Sequence, residues 1–88
     1  MVFGSTNITT NASGVAQIRF DNPTDRTPDM ALVGYNPAVA DLPGRIYDPI
    51  VYQWDSGYIN VRIRRLDNNQ WAGSNQTITV SYLCLWGK

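Results

Sequence analysis

The segment YINVRIRRL, residues 58–66, alternates apolar and polar side chains with a period of two. Ile59, Val61 and Ile63 fall on one side of an extended chain, and Tyr58, Asn60, Arg62 and Arg64 on the other. A strand gathers the three aliphatic residues on one face, whereas a helical repeat of 3.6 would scatter them. Residues 76–86 repeat the pattern. Ile78, Val80, Tyr82, Cys84 and Trp86 share one phase, while the other runs from Thr77, Thr79 and Ser81 to Leu83 and Leu85. The sequence predicts that the C-terminal end of this strand is buried on both faces.

Composition extends this reading to the whole chain. All seven acids are Asp, six of the seven bases are Arg, and the sole Lys is Lys88. Glu and Lys, strong helix formers at exposed positions, are therefore almost missing. Val, Ile and Thr contribute seven residues each, and eight Asn, seven Gly and five Pro supply turns. Eighty-eight residues suffice for one domain. A monomer of this size buries only roughly 60–65% of its unfolded surface, which favours oligomerisation.

Strands are predicted over 2–9, 15–21, 30–35, 46–54, 58–66 and 76–86, the first two forming a hairpin across Thr10–Gly14. Pro49 marks 46–54 as an edge or bulged strand, since proline donates no ladder bond. Arg65 takes the apolar phase of its strand and is expected beyond the edge of the core. The expected fold is all-β: an antiparallel β-sandwich of about six strands, occupying residues 1–88.

Several functions are disfavoured. The chain has no His and a single Cys, so the commonest general base, the commonest zinc ligand and an intrachain disulfide are all missing. A formal net charge of zero lacks the basic excess that holds nucleic acid. No apolar run is long enough to span or insert into a membrane as a helix, and no basic segment followed by an apolar stretch opens the chain. A glycosidase needs a carboxylate pair across a cleft. The Asp residues lie in or near turns, where local hydrogen bonding accounts for them, so no enzymatic activity is expected. Residues 67–75, DNNQWAGSN, lack the closing Glu of an EF-hand loop, and no metal or cofactor is assigned.

The order of features resembles the H-type lectin domain, and in particular the similar domains at the tips of bacteriophage tail fibres and receptor-binding proteins. The resemblance covers about residues 14–86 and is carried by the apolar strand MALVGY, the Arg-started GRIYDPIVYQW, the Arg-rich GYINVRIRR, a loop bearing Trp71, and the aromatic ITVSYLCLW. It implies a six-stranded sandwich forming a homotrimer, with a sugar at the boundary between protomers. It also implies a location on the virion and a place at the C-terminal end of a longer fibre protein. Arg45 matches the family's sugar-binding Arg, and Trp71 the Trp of a Trp-His pair. Ala72 stands where that pair has His, a departure at the position tied to the family's galactose-type preference, so the resemblance does not name the sugar.

The residues themselves leave alternatives. Trp71 lies among Asn68, Asn69 and Asn75, a set suited to stacking on a sugar's C–H face while amides pair with hydroxyls. The structural alternative folds Trp71 over the open end of the sandwich. Arg45 offers donors to a diol or an anion; the alternative is an ion pair with Asp41 or Asp48. Tyr58, Asn60, Arg62 and Arg64 are assigned to an oligomer interface, with a solvated face and ligand contact as the competing readings. Cys84 is read as a buried, inert thiol. The expected function is adhesion to a host-surface glycan; the alternative is a trimerisation cap or virion assembly module without a ligand.

Overall fold

The computed structural model describes residues 1–36 and 47–87. They form seven strands: β1 Val2–Thr9, β2 Val15–Arg19, β3 Met30–Tyr35, β4 Tyr47–Trp54, β5 Tyr58–Arg65, β6 Gln70–Trp71 and β7 Thr77–Leu85. All pairings are antiparallel. One sheet has the order β1-β7-β3, and the other β2-β5-β4 with β6 added to β5. Among the described residues there is no helix, and so none long and apolar enough to cross a membrane.

β5 and β7 are the central strands of the two sheets, and their alternation builds the core. Ile59, Val61 and Ile63 from β5 and Ile78, Val80 and Cys84 from β7 are each at most 2% exposed. Ile18 from β2 and Ile8 from β1 complete this centre. Burying one such aliphatic side chain stabilises the fold by about 1.5–3 kcal/mol. Pro49 lies in β4, which forms the far edge of its sheet and shifts register between Val51 and Gln53, as its proline predicts. Arg65 is half-buried at the end of β5 and pairs with Asp67, its Nε donating to Oδ1 at 3.0 Å.

Three expectations are corrected. First, β1 and β2 do not form a hairpin: β1 pairs with β7 and β2 with β5. The turn reverses the chain, but Ile8 and Ile18 reach one core from opposite layers. Thr10 anchors the crossing, its N–H donating to the Gln76 carbonyl at 3.0 Å and its hydroxyl to the Gly73 carbonyl at 2.5 Å. Second, β6 lies inside the segment expected as loop. Asn69, with a left-handed φ of 58°, folds the chain back so that Trp71 pairs with Arg64 and Gln70 with Arg65. β6 thereby continues the edge that β2 leaves at Arg62. Third, the C-terminal end of β7 is covered on one face only. Leu83 and Leu85 are half-buried, because β1 and β3 flank β7 within the same layer and place nothing over its outer side.

Gly14 joins the two edge segments. Its carbonyl accepts from Ile63 N–H at 2.8 Å, while Ala72 N–H donates to the Ile63 carbonyl at 2.8 Å. Its φ is +76°, and a Cβ built there would stand 2.7 Å from the Ala72 carbonyl oxygen. Gly14→Ala is expected to lower stability by about 2 kcal/mol, since both backbone strain and a clash oppose it. The urea unfolding midpoint checks this, with Gly57→Ala as a milder reference because nothing lies within 4 Å of its added Cβ.

Candidate functional site

The outer face of the β2-β5-β4 sheet is set by register. Arg62 stands between Val15 and Ile50, Asn60 between Gln17 and Gln53, and Arg64 between Asp48 and Trp71. Cross-strand partners share a face, so Trp71 projects on the same side as Arg62 and Arg64. The Arg62 guanidinium carbon lies 4.0 Å from the Trp71 ring centroid. Arg62 Nε also donates to the Ser13 carbonyl at 2.9 Å. That carbonyl is held in turn by Asn11, whose side-chain oxygen accepts from the N–H groups of Ser13 and Val15 at 2.9 and 3.0 Å. A stacked cation of this kind contributes about 0.5–1 kcal/mol at an exposed position and fixes the plane of the ring.

The result is an open groove of about 490 Å³ lined by Ser13, Val15, Ile50, Tyr52, Arg62 and Trp71. Its two rings are accessible, Trp71 at 43% and Tyr52 at 55%. Beside it runs an amide ladder: Gln17 Nε2 donates to Asn60 Oδ1 at 3.0 Å, and Asn60 Nδ2 to Gln53 Oε1 at 3.3 Å. Among the described residues, the ladder leaves an amide oxygen free at Gln17 and an amide nitrogen free at Gln53. Rings next to fixed donors and acceptors suit a ligand with both C–H faces and hydroxyls.

The three tryptophans have different tasks. Trp54 and Trp86 donate their indole N–H groups at 2.8 Å to the carbonyls of Pro28 and Arg26, tying the loop between β2 and β3 across one end of the sandwich. Trp71 lies on the outer face of its sheet instead of capping that end, and its indole N–H has no acceptor among the described residues.

The predicted site is only partly assembled. Trp71 is in the groove, whereas Arg45 lies outside the described residues. Asn68, Asn69 and Asn75 do not line the groove and shape the turns on either side of Trp71. Asn68 Oδ1 accepts from Gln70 N–H at 3.1 Å, Asn69 Oδ1 accepts from Arg64, and Asn75 takes a left-handed φ of 61°. Tyr58, Asn60, Arg62 and Arg64 do share one face, and the structure brings Arg62 to Trp71. The sequence reading missed Ile50, Tyr52 and Gln53. Ile50 and Tyr52 share one phase of β4, while Gln53 reaches the same face only through the register shift after Val51, which alternation alone does not reveal. A second, more polar hollow of about 360 Å³ lies by Arg19, Phe20, Asp21, Gly57 and Tyr82.

Reactive groups are few. Among the described residues, no three metal-ligating side chains come together. Cys84 is fully buried, and desolvation raises its thiol pKa above the ordinary value. Comparison with protein families, curated proteins and solved structures finds no match.

Two outcomes follow from these contacts. Cys84 is expected to resist a thiol-specific disulfide reagent in the folded protein and to react fully in denaturant. As pH rises into the thiol range the unfolded state ionises first, so the stability held by the buried protonated thiol declines there. Arg62→Ala is expected to increase acrylamide quenching of tryptophan emission by releasing Trp71, while lowering stability by less than about 1 kcal/mol.

Proposed function

We propose that the protein is a non-catalytic carbohydrate-binding module whose site is the groove bearing Trp71 and Tyr52. The observation that carries this reading is the Trp71 ring, set by Arg62 at 4.0 Å and bordered by the Gln17–Asn60–Gln53 ladder. A pyranose packs its C–H face on the indole. Its hydroxyls meet the free amide ends and the guanidinium N–H groups that Ser13 does not occupy. A ring fixed before binding loses little entropy on contact, so even a shallow groove can discriminate.

The resemblance to H-type lectin domains supports the wider assignment. In that reading the module is the tip of a phage tail fibre or baseplate protein, forms a homotrimer on the virion, and adheres to glycans of the host surface. Weak single sites on one rigid assembly gain avidity without further contacts. The second reading, an assembly cap without a ligand, is favoured by the uncharged outer face of the β1-β7-β3 sheet.

A glycan array probed with wild type, Trp71→Ala and Gln17→Ala tests the proposal. Wild type is expected to bind a defined glycan class, and Trp71→Ala to weaken it about tenfold or more, as the loss of one stacking contact implies. Absence of binding by wild type, or undiminished binding by Trp71→Ala, overturns the assignment of this groove.

A further inference from the structure

The two outer faces of the sandwich differ in charge. The face of β2-β5-β4 carries Arg19, Asp48, Arg62 and Arg64. The outward positions of the other sheet are the odd-numbered residues of β1 and β7 and the even-numbered residues of β3. None of them is charged, in a chain with fourteen charged residues. At one end of this face Phe3, Leu83 and Leu32 form a cross-strand row, and Met30 stands opposite Leu85. Phe3 is 71% exposed, Leu32 53% and Met30 47%.

The other end is polar, and several of its side chains bond one another across the strands. Thr9 and Thr77 share a hydrogen bond of 2.9 Å between their hydroxyls, Thr79 donates to Asn7 Oδ1 at 2.6 Å, and Asn36 Nδ2 donates to Ser81 at 3.1 Å. Polar groups that bond one another across strands lose less on leaving water than unpaired ones. Depletion of charge around an exposed apolar cluster distinguishes the centre of a protein contact from ordinary surface.

We infer that this face of the β1-β7-β3 sheet is where copies of this chain associate. An uncharged face is complementary to itself, whereas two copies of the Arg-bearing face would oppose like charges. The size is also adequate. Three strands about 4.8 Å apart and about 27 Å long present a flat footprint of about 400 Å², and side-chain relief brings the total for two partners to the order of 1,000 Å², where specific interfaces begin. The uneven ends set the symmetry. Apolar end meets apolar end only if the axis runs along the strands, giving a closed cyclic dimer or trimer of aligned protomers. The inference deepens the oligomeric part of the proposed function, and it moves the contact from Tyr58, Asn60, Arg62 and Arg64 to the opposite sheet. The groove at Trp71 is then left facing outward, away from the axis.

Sedimentation velocity and light scattering across a micromolar to submillimolar range test this. Wild type is expected to run as a dimer or trimer. Leu32→Asp and Ser81→Lys, both at exposed positions, are expected to weaken association about tenfold or more, while Arg62→Glu leaves the mass unchanged. Protection of Cys84 from thiol reagent verifies that each variant is folded. A wild type that stays monomeric throughout, or an oligomer that survives both face variants yet dissociates with Arg62→Glu, overturns the inference. Mass is read without a glycan, so this failure is distinct from a failure on the array.

Discussion

Every other feature hangs on the core that β5 and β7 build together from the two sheets. Ile59, Val61 and Ile63 share one buried cluster with Ile78, Val80 and Cys84, and among the described residues no charged side chain is buried. Because these are the central strands, each is flanked on both sides, and every remaining strand is placed by pairing with one of the two. With no intrachain disulfide and no resident metal expected, this layer of aliphatic side chains is the main source of stability.

The same alternation that fills the core assigns the outward residues. In β5 it sends Asn60, Arg62 and Arg64 to one surface; in β7 it sends Ser81, Leu83 and Leu85 to the other. The two surfaces therefore receive different chemistry from strands of equal hydrophobic regularity. One holds fixed cations, amides and accessible rings. The other is neutral, aliphatic at one end and hydroxyl-rich at the other. A sandwich with two such sides can assemble through one and present the other, with no need for a second domain.

Turns do more than connect. Asn11 aims the Ser13 carbonyl at Arg62, and Asn69 folds β6 onto the edge of β5, so Trp71 is held from two directions. Asn68, Asn69 and Asn75 act here through local hydrogen bonds and left-handed backbone. An amide-rich loop around an aromatic residue thus reads the same in sequence whether its amides face a ligand or form the turns that position the ring.

Alternation, breakers and composition in the sequence were enough to establish an all-β chain, its principal strands, the edge position of the Pro49 strand, the buried Cys84 and the shared face of Tyr58, Asn60, Arg62 and Arg64. These properties depend on which side of a strand a residue occupies, and a period of two states that locally. Tertiary structure decided which strands are neighbours. A turn at Thr10–Gly14 looks alike whether the flanking strands pair or separate into two layers, so the division of β1 and β2 between sheets was not legible. The stacking of Trp71 on Arg62 and the groove with Tyr52 follow from a two-residue strand and a register shift. Both arise from long-range pairing with β5, which residues 67–75 do not encode on their own.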